Sequence, residues 1–389
     1  MLKYAYKPFD SNINSNIIDP RTYFFARHFI QDAYTKNQSI SLITTWIQNI
    51  DEQRILSKEG VSMPFNVNNV DVTVCANSIY GITSATIYDI NGFQQEFLDS
   101  PEFQQLYLNT TKFITWAIQT NYSSRPDLAL VYYPSVYNFL WYTSRTLFFL
   151  ENELDNVVDV KLKAIFLEAK GYLQVAFEGA ATDFLFKTVK YEDEKETYFD
   201  DFLGLNDTDV FGKQKPSGED RIFSTAQAIN ILIATWTYQN STTRKLVWKN
   251  NVDEKVKNLL QTSVSWLQQN VFNPKLKPSN AFFSGSVKNE ATLPYWYPSN
   301  FLQDLNGTFV EPSQVVNADT LIDGVSGMID EVKYNDMLKE KHFGENTPLD
   351  FTGYNLKDNF FPFWSSQPYT YAVSLLAISQ FNNIDGLVV

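Results

Sequence analysis

Cysteine and histidine are nearly missing from this chain of 389 residues: Cys75 stands alone, and His28 and His342 are the two imidazoles. One thiol leaves no intramolecular disulfide, and so few soft ligands leave no Cys/His zinc site, so no metal and no cofactor are expected. Clusters of basic residues are lacking too. The formal net charge is -13, from 44 acidic and 31 basic side chains, which disfavours a protein that tracks nucleic-acid phosphates or anionic lipid. The opening segment MLKYAYKPFD has no apolar signal-peptide core, and no run is long and apolar enough to span a bilayer. Neither a membrane span nor a targeting segment is expected. GxGxxG, P-loop and G-x-S-x-G patterns are absent, which leaves nucleotide binding and serine hydrolysis without a foothold.

What is present is apolar and aromatic. Hydrophobic residues make up 44% and aromatic ones 16% of the chain, enough for a large core, so a globular protein is expected, read as a single domain over residues 1–389. Two kinds of helical stretch alternate. In the segment from Pro101 to Gln119, Phe103, Leu106, Tyr107, Phe113, Ile114 and Ala117 recur at helical spacing, with Gln104, Gln105, Asn109 and Lys112 between them. By contrast, Ile222 to Tyr238 carries no charge and is apolar or small all round, which predicts a helix covered on every side.

The same reading predicts helices from Pro20 to about Tyr34, Ser39 to Ile50, Asn69 to Thr86, Pro134 to Leu150, Lys161 to Phe177, Val252 to Val271 and Tyr369 to Phe381. Asp19-Pro20 and Ser100-Pro101 each place a capping side chain before proline at the first helical position. Two long interruptions, about 188–221 and 273–315, are expected to be lids, binding loops or disordered inserts. The first is acidic; the second centres on PYWYPSNF.

The motifs SVYNFLWYTSRTLFFLE, STAQAINILIATW and QPYTYAVSLLAISQF look like inner-barrel helices, with small or hydroxyl residues near the start and aliphatic ones behind. In this the chain resembles the α/α-toroid class shared by terpenoid cyclases, protein prenyltransferases and six-hairpin glycosidases. The resemblance implies an all-α fold: a ring of helical hairpins with buried inner helices, wet-faced outer helices and long inserted loops at one mouth. A repeated Tyr-Pro-Ser/Asn-Phe-Leu pattern, at Tyr133 and again at Tyr297, supports a recurring hairpin unit. The protonating DxDD run of cyclases and the Asp/Cys/His ligand set of zinc prenyltransferases are missing, so those activities are not expected. Asp200-Asp201 starts like a magnesium motif, but Gly204 stands where the third acid belongs.

Carboxylates and rings remain, the materials of carbohydrate chemistry. Asp71, Glu219 and Asp220 sit at helix starts, where each is either a capping residue or one of the two acids a glycosidase needs. Trp296, Tyr297, Trp364 and Tyr369 are candidates for stacking on a sugar or another neutral ligand. Arg145, after an uncharged run, is either a buried partner of an acid or a ligand contact. Cys75 reads as a small buried residue and His28 as a packed helical one. Asn-x-Ser/Thr sequons at Asn37, Asn109, Asn121, Asn206, Asn240 and Asn306 suit a glycoprotein, whereas the single cysteine suits the cytosol, so the compartment stays open. Three functions follow as expectations: a carbohydrate-binding or hydrolysing toroid, a non-catalytic protein that packs against a protein partner, and an isoprenoid or lipid binder without metal.

Overall fold

The structure is a computed structural model. It describes residues 1–47, 52, 55–59, 68–120, 122–124, 126–130, 132–193, 195–201, 208–209, 220–282, 324–338, 352–353 and 365–386. The protein is mainly α-helical. Its long helices are α1 (Pro20–Thr35), α2 (Val72–Ile87), α3 (Pro101–Gln119), α4 (Val136–Glu153), α5 (Val160–Ala176), α6 (Arg221–Trp236), α7 (Glu254–Asn270) and α8 (Gln367–Asn382).

Local chemistry sets most of the helix starts. Asp19 accepts from the Arg21 amide at 2.8 Å, Ser100 from Phe103 at 3.3 Å, Ser135 from Asn138 at 3.2 Å and Asp159 from Leu162 at 2.7 Å, each relieving an amide that has no partner in the first turn. Asp19 is buried together with the Arg21 guanidinium, 2.6 Å away, so this cap is also a buried ion pair.

The helices stack as hairpins in two layers. In one layer α2 packs on α4, α4 on α6 and α6 on α8; behind them α3 backs α2, α5 backs α4, and α7 backs α6. Periodicity decides which helix goes where. On α5 the buried residues Leu162, Phe166, Ala169, Leu173 and Ala176 follow a three-and-four spacing that leaves the other face in water. On α6 every residue from Ile222 to Trp236 is buried, as its lack of charge predicts. Phe97, Tyr107 and Phe166 meet between α3 and α5 with ring centroids 5.6 to 6.0 Å apart, edge to face and stacked.

Several expectations are corrected. Ser39 to Trp46 is not helical: Leu42 exchanges backbone hydrogen bonds with Tyr6, both 2.9 Å, and residues 48–50 lie outside the described set. Short ribbons occur where none was expected, such as Thr237–Gln239 antiparallel to Leu246–Trp248, which ends α6 at Trp236. The start of the first interruption forms another, Lys190–Tyr191 with Thr197–Tyr198, whose Tyr198 ring stacks on Trp266 at 5.3 Å. His28 faces solvent on α1. Helix α8, expected to be dry all round, leaves Leu375 68% exposed.

Cys75 is the small buried residue expected; its thiol donates to the Ile43 carbonyl at 3.4 Å, and burial pushes its pKa up. Among the sequon asparagines, Asn37 is exposed in the left-handed region with φ 53°. Asn109 lies within α3 and donates to the Ser39 carbonyl, and Asn240 accepts from the Thr242 and Thr243 amides in a turn. Asn121, Asn206 and Asn306 lie outside the described residues.

Candidate functional site

The starts of α2, α4, α6 and α8 converge at one end of the front layer. Asp71, before α2, accepts from the Tyr132 amide in the segment leading to α4 at 2.8 Å. The first amide of α4, from Val136, donates to Asp201 at 2.9 Å, and the Asp201 amide donates to Asp220 at the start of α6 at 3.2 Å. From α8, the Tyr369 hydroxyl donates to Asn138 of α4 at 3.2 Å, and its ring lies 5.5 Å from that of Phe223 on α6. Four helix starts therefore aim their positive dipole ends at one region.

Two acids there behave differently. Asp71 is buried: one carboxylate oxygen accepts from Thr73 and Val74, at 2.8 and 3.1 Å, and the other from Tyr132. Burial raises its pKa to about 6, against the opposing pull of those amides. Capping is thus the role its oxygens perform. Asp220 does not cap α6 with its side chain. Instead it accepts from the Ser224 hydroxyl at 2.7 Å and from the Asp201 amide. The two carboxyl groups share a site: burial, and then the negative charge of Asp220, push Asp201 well above the usual carboxylate range, while hydrogen bonds from Ser135 and the Val136 amide pull the other way. Asp200, next in sequence, pairs with Lys190 at 2.8 Å; residues 202–204 of the magnesium-like run lie outside the described set.

A turn deeper runs a chain of polar and aromatic side chains. Gln227 of α6 donates to Asn138 at 3.2 Å, Asn138 also accepts from Tyr369, and the Tyr369 hydroxyl shares a 2.8 Å hydrogen bond with that of Tyr142. The Tyr142 ring lies 4.5 Å below the Arg145 guanidinium, which is flanked by Tyr80 at 4.8 Å and Trp141 at 4.9 Å and donates to Asn77 of α2 at 2.7 Å. Asn138 and Gln227 are fully buried, yet among the described residues the Asn138 amide nitrogen and the Gln227 carbonyl oxygen have no hydrogen-bond partner; the same holds for the Asn230 carbonyl oxygen one turn on. Orphaned buried amides of this kind cost on the order of 1–3 kcal/mol each unless something fills them.

Sequence reasoning singled out Tyr369 and Arg145, and the structure brings them into one chain of contacts through Tyr142. It also picked Asp71 and Asp220 as a pair, but among the described residues Asp220 meets Asp201 instead. Asn77, Asn138, Tyr142 and Gln227 were not singled out; their signal is a polar residue inside an otherwise apolar helix, repeated on three helices. Glu219, Trp296, Tyr297 and Trp364 lie outside the described residues. The described start of the second interruption does reach this end: Phe282 packs 6.1 Å from Tyr369, and Asn280 donates to the Ser366 carbonyl and the Thr370 hydroxyl. No family model, curated protein or solved structure matches this chain.

Proposed function

We propose that this protein binds a hydroxyl-rich ligand, a carbohydrate, on the inner face of a ring of helical hairpins, between the starts of α2, α4, α6 and α8. The observation that carries the reading is the set of orphaned amide groups on Asn138, Gln227 and Asn230, beside the paired hydroxyls of Tyr142 and Tyr369. Sugars carry donors and acceptors at close spacing on an apolar ring, which suits alternating amides and aromatic faces. An isoprenoid would leave those amides unpartnered, and a purely structural core gains nothing from them. The hairpin layers support the toroid, since the inner helices α2, α4 and α6 each have an outer one behind them.

A second reading, hydrolysis, rests on the Asp201–Asp220 pair. Burial, and then the neighbouring charge of Asp220, raise the pKa of the Asp201 carboxyl, the direction a general acid requires. Asp71, with both oxygens committed to backbone amides, does not serve in that pair.

Thermal unfolding against a panel of neutral and acidic mono- and disaccharides tests binding, because a ligand of the folded state raises the midpoint by mass action. Expected is a shift with at least one saccharide that is lost in Tyr369→Phe. No shift across the panel, or an equal shift in Tyr369→Phe, overturns the assignment. Release of reducing sugar, lost in Asp201→Asn, would carry the second reading; binding without turnover would end it.

A further inference from the structure

We infer that the ligand is an acidic saccharide whose anionic group pairs with Arg145; this rests on the carbohydrate reading above. Arg145 is part-buried on α4 and, among the described residues, has no carboxylate partner. Its surroundings are neutral: Asn77 accepts from one terminal nitrogen at 2.7 Å, and Tyr80, Trp141 and Tyr142 present ring faces within 4.9 Å. Its Nε is buried and has no partner among the described residues. In a chain with 44 acids against 31 bases, an acid missing beside a part-buried cation is not a matter of scarcity. Arg27 makes the contrast: it also stacks on a tyrosine, at 3.8 Å from the Tyr334 ring, yet pairs with Glu331 at 2.7 Å.

This part of the molecule borders solvent: Asn77 is part-buried, and Gly81, one turn on along α2, is exposed, with nothing within 4 Å of a methyl group built there. Arg145 is linked through Tyr142 and Tyr369 to the orphaned amides, so a ligand hydrogen-bonded at Asn138 and Gln227 would run along the chain of contacts that ends at the guanidinium. The guanidinium fork matches a carboxylate bidentately and also takes phosphate oxygens, so the shared chemistry is an anionic oxygen group on a sugar.

The experiment is calorimetric titration of the full chain with D-glucose, D-glucuronate and D-glucose 6-phosphate, at low and high sodium chloride. Expected is binding of one or both acidic sugars at least about tenfold tighter than glucose, with the advantage falling at high salt, as for a charge pair. The arm that binds tighter identifies carboxylate or phosphate as the group. In Arg145→Met the advantage of the acidic sugars over glucose should vanish; Arg145→Lys, which keeps the charge without the fork, should retain only part of it. Equal affinity for all three sugars overturns the inference but leaves the carbohydrate reading standing. No binding of any of them overturns the inference, while the carbohydrate reading is decided by the wider saccharide panel. Should Arg145→Met fail to fold, the salt dependence of the wild-type protein decides alone: an acidic-sugar advantage indifferent to salt overturns the pairing.

Discussion

Asp71→Asn separates two forces that act on one buried carboxyl. Its oxygens accept three backbone amides, at 2.8, 3.1 and 2.8 Å, which favours the charged form; its complete burial opposes it. Burial wins, holding the pKa at about 6 against 3.8 for the free side chain. The sign follows: the folded state keeps a proton that the unfolded state has released, so stability falls as pH rises from about 4 to about 6 and levels off above. For a shift of that size the wild type loses about 2 kcal/mol between about pH 4.5 and about pH 7.5 at this site alone.

Asparagine keeps the oxygen that caps Thr73 and Val74 but turns an NH2 toward the Tyr132 amide, losing one hydrogen bond worth on the order of 1 kcal/mol. Urea unfolding of both proteins at the two pH values gives the difference directly, because every other titrating group cancels. The variant should gain about 2 kcal/mol on the wild type as pH rises across that window. A difference that stays flat, or that grows in favour of the wild type, would show that the amides hold the carboxylate charged and that burial has been overweighted.

Other outcomes are expected. Gly81→Ala should raise stability by about 1 kcal/mol, since a methyl group meets open space there and helix propensity improves; measured destabilisation would mean the face is not open. Cys75 should ignore a thiol reagent in the native protein and react fully in denaturant; rapid native labelling would contradict its burial. Arg27→Ala, which strips a buried guanidinium from Tyr23, Tyr334 and Glu331, should cost about 2–4 kcal/mol in urea unfolding, and a loss under about 0.5 kcal/mol would refute that packing.

Much of the helical frame was legible because its signals are local. Asp19-Pro20 and Ser100-Pro101 announced α1 and α3 within two residues, and the uncharged run after Arg221 announced a helix closed on all sides. The segment at Ser39 misled for the opposite reason: its apolar spacing suits a helix, but Leu42 is claimed by Tyr6, a partner from the other end of α1. Exposure of Leu375 on α8 was hidden in the same way, since an apolar sequence does not say which neighbour is close.

The site was half legible. Tyr369 stood out as an aromatic stacking candidate and Arg145 as a charge after an uncharged run, but what they meet is set by helices far apart in sequence: Arg145 reaches Asn77 across 68 positions, and Tyr369 reaches Asn138 across 231. The Asp201–Asp220 meeting spans 19 positions and has no periodic signal in the sequence. For Asp71 the sequence offered both a cap and a glycosidase acid; the cap is local, and its second oxygen on Tyr132 needed the α4 lead-in to be in place.

The most direct test of the account is the saccharide affinity of Gln227→Met, read beside its stability. Methionine matches the shape of the buried side chain and removes the orphaned carbonyl oxygen, while Asn138 keeps its hydrogen bond from Tyr369. If that oxygen is reserved for a ligand, the variant should be as stable as the wild type or more so, by up to about 1 kcal/mol, and should bind at least about tenfold more weakly. Unchanged affinity together with a clear loss of stability would contradict the account and make the inner polar chain part of the core.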